Sequence, residues 1–288
     1  MSTQKIEQFT TMASSTYGFS KGTIGMYKSA LNQYLNWYNQ PIELTTPVDV
    51  MNYLAYMKLE GKAGSTLTVA TSALRAFFDY LLMNGTVTTY PTAGVKQRGR
   101  RKVRIPDYLT RNEISLLLAE PLSHIDPYIR DRDTTFMAFL LSTGLRISEA
   151  LKVRPKDVDF VDKSLTVVGK GNKQSVVFIT SLISKKFHKD LEKYIKKYNK
   201  HSVLPIFDLT KTASYRLLKK WANKAGIQKN VSAHTLRHTY GTLMHNEVGL
   251  GITALKEAMR HESIKTTQAY VHTTKADLKQ ALAKAGVV

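Results

Sequence analysis

Apolar residues recur every three or four positions along most of the chain, a spacing that places them on one face of an α-helix. Three such runs follow a polar opening: Ile24 to Tyr38, Val50 to Met57 and Leu67 to Leu81. Thr46 followed by Pro47 predicts the start of the second helix, and Ser65 is a candidate N-cap for the third. Aromatic residues in these runs are predicted to be core. We therefore expect a helical bundle over residues 1–94.

A second domain is predicted over residues 108–288, because Thr110-Arg111-Asn112-Glu113 has the form of a capping box. The helix before Gly144 should end there, since glycine accepts the left-handed conformation of a helix end. Two β-branched segments flank the turn Gly169-Lys170-Gly171-Asn172-Lys173 and predict a β-hairpin. Helical patterns then resume: Leu182 to Ile195, Tyr215 to Ala222, Ile252 to Met259 and Thr274 to Ala285. The predicted fold is mainly α with a small β-hairpin or sheet, in two domains.

The segment between these domains, residues 95–107, carries six basic side chains that would repel one another in a packed element. They are Lys96, Arg98, Arg100, Arg101, Lys102 and Arg104. The whole chain has 42 Lys and Arg against 22 Asp and Glu, a net charge of +20. Such an excess favours a nucleic-acid partner. The segment is thus predicted to be a linker that lies along a DNA backbone, although a solvated run of charges explains the same pattern.

Other classes of protein fit the composition less well. No run approaches the ~20 apolar residues of a membrane span, and no signal peptide is visible, so we expect no membrane partner. The chain has no Cys, which excludes disulfides and thiolate metal ligands and suits a reducing cytosol. A cytoplasmic, nucleoid-associated protein is expected.

The stretch His234-Thr235-Leu236-Arg237-His238 is the densest group of chemically useful side chains. On a helix, His234, Arg237 and His238 would share one face, because they are three and four positions apart. A guanidinium offers a planar fork to an oxyanion, and an imidazole offers a proton near neutral pH. This stretch is therefore a candidate site for a phosphate.

Four further residues are candidates, although each has an ordinary structural explanation. Arg146 follows the predicted helix end but could simply pair with Glu149. Lys170 lies between two glycines but could be a solvated turn lysine. His261 could be a helix cap, and Tyr270, nine residues later, could be a core tyrosine. Singly, none of them indicates a site.

Taken in order, these motifs resemble the tyrosine site-specific DNA recombinases of the integrase family, in particular the Xer type. The matching elements are Thr143-Gly144-Leu145-Arg146-Ile147-Ser148-Glu149, the Gly-Lys-Gly-Asn-Lys turn, the His-x-x-Arg-His stretch, His261 and Tyr270. Similarity covers nearly the whole chain, with a helical core-binding domain, a catalytic domain that begins after Pro106-Asp107-Tyr108-Leu109-Thr110, and a short helical tail.

The resemblance implies a role for each residue at the scissile phosphate. Tyr270 would be the nucleophile that forms a 3′-phosphotyrosyl link and frees a 5′-hydroxyl. Arg146 and Arg237, assisted by His261, would stabilise the charge that gathers on the non-bridging oxygens. Lys170 would be the general acid that protonates the leaving oxygen.

The remaining members of the set would support these groups. His234 would be the base or the orienting partner for the tyrosine proton. Glu149 would hold a catalytic arginine or histidine in place, and His238 would be a structural or supporting histidine. Lys173 belongs to the same turn as Lys170 and competes with it for the role of acid, or contacts DNA. Arg260 departs from the family, which usually has Gly before the second catalytic histidine; its side chain could contact the phosphate backbone or point to solvent.

The resemblance also implies partners. We expect double-stranded DNA at a specific site, no cofactor, no metal and no ATP. Recombination would need a homotetramer on two DNA sites and a Holliday junction, with the tail exchanged between protomers unless it packs in cis. The resemblance leaves open whether an accessory protein takes part. Xer-like dimer resolution is the predicted role, since nothing before Ile24 leaves room for an arm-binding domain; integration or excision of a virus, plasmid or other mobile element is the alternative.

Two functions from other classes compete with recombination. A metal-dependent nuclease is disfavoured because Thr235, not Glu, follows His234 and no carboxylate cluster accompanies the histidines. A DNA-binding module that has lost its chemistry is disfavoured because all six expected catalytic positions are occupied.

Overall fold

The computed structural model describes residues 2–95, 107–169, 174–198 and 203–260. By its internal contacts, the chain divides into two compact units, Met1–Val103 and Arg104–Val288. Within the described ranges, no helix is long and apolar enough to cross a membrane. The mainly helical fold with a small sheet that the sequence predicted is confirmed.

The first unit is a helical bundle. Its helices are α1 (Ser2–Ser15), α2 (Lys21–Tyr38), α3 (Pro47–Leu59) and α4 (Gly64–Met83). Tyr34 and Phe77 are fully buried in its core, which confirms that the aromatic runs are structural. The polar opening also forms a helix, α1, which the apolar spacing did not predict; α1 buries Ile6 and Phe9 and carries mostly polar residues elsewhere.

Local capping explains where these helices start. Thr46 and Asp49 form a capping box at α3, with Pro47 as its first residue, as predicted. The proposed cap at Ser65 is wrong: α4 begins at Gly64, and its N-cap Ala63 has no side-chain hydrogen bond to offer. A serine beside a helix start is therefore not enough to locate the first turn.

The second unit contains the remaining elements. Its helices are α5 (Arg111–Ala119), α6 (Pro127–Thr143), α7 (Ile147–Ala150), α8 (Phe187–Tyr198), α9 (Lys211–Lys224), α10 (Ala233–Asn246) and α11 (Ile252–Met259). The capping box of Thr110 and Glu113 at α5 is confirmed. Two details differ from expectation: Leu182 precedes α8, and Tyr215 on α9 is exposed.

A three-stranded antiparallel sheet lies in this unit. Its strands are β1 (Val158–Asp159), β2 (Ser164–Val168) and β3 (Gln174–Phe178), in that order across the sheet. Leu165 pairs with Val177, and both are buried, whereas Phe178 on the other face is exposed. The predicted pairing of the two segments is confirmed, and β1 adds a short third strand.

Gly144, at the end of α6, lies against Tyr240 of α10. It ends α6 in the left-handed conformation, with φ of 59°, and its N–H donates to the Leu140 carbonyl at 3.0 Å. A Cβ atom at this position would lie only 2.3 Å from Cδ1 of Tyr240 on α10. Glycine is therefore required here for two reasons: the backbone has a positive φ, and the ring of Tyr240 leaves no room for a Cβ.

We expect Gly144→Ala to destabilise the second unit by about 3 kcal/mol, because left-handed strain and an overpacking clash add together. Gly226→Ala is the matched control: Gly226 also has a positive φ, of 68°, but nothing lies within 4 Å of an added Cβ. Gly226→Ala should lower the free energy of unfolding by about 1 kcal/mol. Urea unfolding followed by Trp221 fluorescence in a Trp37→Phe background would compare them; equal losses would contradict the predicted clash.

Candidate active site

Arg146 lies two residues after Gly144, and its guanidinium has two hydrogen-bond partners. Nη1 donates to Oε1 of Glu149 at 3.0 Å, and Nη2 donates to the backbone carbonyl of Arg260 at 2.9 Å. Its own backbone N–H donates to Oε2 of Glu149 at 3.0 Å. Since the side chain is still 43% exposed, the fork is both oriented and accessible to a ligand.

Arg237 on α10 contacts the same turn. It is 3% exposed, and its Nη1 donates to the Gly144 carbonyl at 2.5 Å. Nη2 donates to the carbonyl of Met259, the last residue of α11. Three separate elements, the turn after α6, α10 and the end of α11, thus meet at one buried guanidinium.

His234 and His238 form a pair on α10. Their Nε2 atoms are 2.8 Å apart, and the rings are nearly perpendicular, with centroids 4.2 Å apart. Such a contact requires one ring to donate and the other to accept, so the two imidazoles share a single proton along this line. Burial lowers the pKa of His234, and the positive charges of Arg237 and Arg146 lower it further. Burial and the two arginines therefore both favour the neutral form of His234.

Glu149 is the carboxylate between the arginines. It is 7% exposed, and Oε2 receives a hydrogen bond from Nη2 of Arg260 at 2.5 Å. Burial alone would raise the pKa of this carboxyl, but the Arg260 charge and the hydrogen bonds from Arg146 outweigh burial, and the net pKa is lowered. Glu149 stays ionised, and the two guanidinium groups that pair with it leave an excess of positive charge suited to a phosphodiester.

The structure brings together five of the residues that the sequence predicted: Arg146, Glu149, His234, Arg237 and His238. The other predicted site residues lie outside the described ranges: Lys170, Lys173, His261, Tyr270 and the linker residues Lys96, Arg98, Arg100, Arg101, Lys102 and Arg104. Their positions remain predictions. Within the described part of the chain, no three His, Cys, Asp or Glu residues are grouped so that they could hold a metal ion.

Sequence reasoning missed two contacts in this site. Arg260 was expected to reach a phosphate or point to solvent, yet its side chain is 14% exposed and pairs with Glu149. A positive residue in place of glycine was the available signal, but nothing in the sequence identified Glu149 as its partner. The contact between His234 and His238 follows from their spacing of four residues, which places two side chains on one helical face.

Comparison with known proteins identifies the family. Residues 107–277 match the model of the phage integrase family, and residues 6–85 match the N-terminal SAM-like domain of phage integrases. The chain therefore belongs to the phage integrase family.

Its curated relatives are tyrosine recombinases of the Xer type. The chain is 28% identical over 276 residues to tyrosine recombinase XerD of Oceanobacillus iheyensis, covering 91% of each chain. It is 28% identical over 279 residues to tyrosine recombinase XerC of Thermodesulfovibrio yellowstonii, covering 92% of this chain and 89% of that one. The predicted Xer-like tyrosine recombinase, with site-specific recombination as its function, is confirmed, and the mobile-element alternative is not favoured.

Solved structures share the fold. A XerH recombinase bound to a palindromic difH substrate superposes with a TM-score of 0.73 at 22% identity, covering 90% of this chain and 79% of that one. A lambda integrase dimer bound to a COC′ core site gives a TM-score of 0.72 at 17% identity, covering 93% and 94%. At these identities, the likeness establishes the architecture alone.

We expect the pKa of His234 to lie below the usual histidine value of 6.5, because burial and two arginines disfavour its charged form. The folded protein then binds fewer protons than the unfolded chain, so this residue lowers stability as pH falls below that value. NMR titration of the His234 ring, assigned with His234→Gln, measures the midpoint. A midpoint at or above 6.5 would contradict the expectation.

Proposed function

We propose that this recombinase cleaves and rejoins DNA through a 3′-phosphotyrosyl intermediate at Tyr270. The observation that carries the proposal is the pair of arginines at the Gly144 turn, Arg146 accessible and Arg237 anchored on backbone carbonyls. Two positioned guanidiniums match the charge that develops on a phosphodiester under attack. A covalent tyrosyl link would retain the energy of the phosphodiester, so religation would need neither a metal nor ATP.

His234 is the proposed acceptor of the Tyr270 proton. A neutral imidazole can accept a proton, and burial together with Arg237 and Arg146 favours that form. His238 would orient the acceptor, because its Nε2 meets that of His234 at 2.8 Å. Once protonated, His234 would add positive charge beside the phosphate.

Lys170 and His261 complete the proposed chemistry. Lys170 would protonate the 5′ oxygen that leaves, with Lys173 as the competing acid in the same turn. His261 would donate a hydrogen bond to a non-bridging oxygen. Glu149 would hold Arg146 in position, which its hydrogen bond of 3.0 Å supports. The basic linker would follow the DNA backbone.

The proposed biological role is resolution of chromosome or plasmid dimers in the cytoplasm, at the nucleoid. Curated relatives named XerD and XerC support this role. Four protomers would act on two DNA sites through a Holliday junction, with or without an accessory protein. The tail, Thr274 to Ala285, would dock on a neighbouring protomer through Leu278 and Leu282, which lie four residues apart.

We expect the protein to form covalent adducts with genomic DNA fragments in excess EDTA, and Tyr270→Phe to abolish them, because phenylalanine has no hydroxyl to attack phosphorus. Tyr215→Phe, which changes an exposed tyrosine on α9, is the matched control and should retain full adduct yield. Denaturing gels measure the yield, and sequencing of the captured ends identifies the DNA site.

Two results would contradict this assignment. Adducts formed by Tyr270→Phe would place the nucleophile elsewhere. Free DNA ends that appear only with added Mg²⁺ would instead support the nuclease alternative.

Deletion of the residues after His272 tests the proposed exchange of the tail. We expect DNA affinity in gel-shift assays to stay within about twofold, because the remaining basic side chains set it. Assembly on two sites, measured by light scattering, should fall by at least about tenfold because the docking segment is lost. Unchanged recombination by the truncated protein would exclude tail exchange.

A further inference from the structure

Arg260 adopts a backbone conformation that its side chain disfavours. It caps α11 with φ of 51° and ψ of 50°, in the left-handed region. In the described residues, only Asn39 and Lys163 are other non-glycine positions with positive φ. A left-handed conformation costs a residue with a Cβ about 1–2 kcal/mol relative to the right-handed one. An arginine in place of glycine here therefore needs a compensating contact.

The compensating contact involves both the side chain and the backbone of Arg260. Nη2 forms an ion pair with Oε2 of Glu149, and the backbone carbonyl accepts from Nη2 of Arg146. Glu149 in turn accepts from Nη1 of Arg146. Arg146, Glu149 and Arg260 thus form a closed ring of contacts that links the turn after α6 to the end of α11.

Charge balance gives this ring a consequence for catalysis. Glu149 paired with Arg146 alone would make a neutral couple, and its negative charge would oppose a phosphate nearby. Arg260 also pairs with Glu149, so the three groups together keep a positive charge. Only Arg146 is substantially exposed, at 43% of its side chain against 14% for Arg260. The excess charge is therefore presented to a ligand through Arg146.

We propose that Arg260 is a positioning residue of this active site: its carbonyl holds the guanidinium of Arg146, and its own guanidinium compensates the charge of Glu149. Arg146 is thereby kept oriented and positive toward the scissile phosphate. This inference rests on the proposed function for its link to cleavage, but the charge compensation concerns the free protein.

Arg260→Gly is the informative variant, because glycine accepts the left-handed conformation and keeps the carbonyl while removing the guanidinium. Lys163→Gly is the matched control: it also removes one positive charge and one left-handed side chain, with the same φ of 51°, at an exposed turn. Circular dichroism checks that both fold. Arg260→Lys tests whether charge alone restores activity.

The first measurement is single-turnover cleavage of a nicked duplex carrying the captured DNA sequence. Arg260→Gly should slow cleavage by roughly 10- to 100-fold, the scale of a nearby charge in a partly buried site, with DNA affinity nearly unchanged. Arg260→Lys should recover most of the rate, and Lys163→Gly should match wild type. In a Glu149→Gln background, Arg260→Gly should reduce the cleavage rate by a smaller factor, because the negative charge that Arg260 compensates is absent. An equal loss in both backgrounds, or none in either, would overturn the proposal.

The second measurement needs no DNA. NMR of ¹³C-labelled glutamate follows titration of the Glu149 carboxyl, which faces Arg146 from the turn after α6 and Arg260 from the end of α11. Arg260→Gly should raise its midpoint, because a charge that stabilises the carboxylate is removed. An unmoved midpoint would refute the compensation even if the protein recombines DNA. If the wild-type protein forms no covalent adducts with DNA, the proposed function is refuted. The titration of Glu149 would still show whether Arg260 compensates its charge.

Discussion

The buried guanidinium of Arg237 is the contact on which the site depends. Removing a charged group from water costs several kcal/mol unless hydrogen bonds replace the lost hydration. Arg237 meets this condition at the carbonyls of Gly144 and Met259, where α6 and α11 end. Carbonyls at a helix C-terminus lack partners within the helix and carry its negative partial charge. The contacts that make burial tolerable therefore also fix the ends of two helices against α10.

That arrangement gives the two site arginines different properties. Arg237 is enclosed at 3% exposure, whereas the Arg146 side chain stays 43% exposed. The turn between them exists because Gly144 accepts both a positive φ and the ring of Tyr240. A site assembled on these backbone contacts is oriented before any substrate arrives, which lowers the entropy that binding must overcome.

Local signals predicted much of this molecule. The caps at Thr46 and Thr110, the helix end at Gly144 and the strand pairing each depend on residues close in sequence. Contacts between distant residues escaped prediction. Arg260 meets Glu149 across 111 positions, and helix α1 was missed because its few apolar residues are separated by polar ones. Spacing shows which face a residue occupies, but not which distant element packs there.

A carboxylate in an anion-binding site repels the bound anion. It favours binding only if it positions the cationic groups well enough to offset that repulsion. Like charges repel, so Arg146, Arg237 and Arg260 without a counter-ion would disfavour folding. Glu149 offsets that repulsion and binds two of the three. The net charge stays positive. One ionised carboxylate thus allows Arg146 and Arg260 to converge beside Arg237 while the site keeps an excess of positive charge for a phosphate.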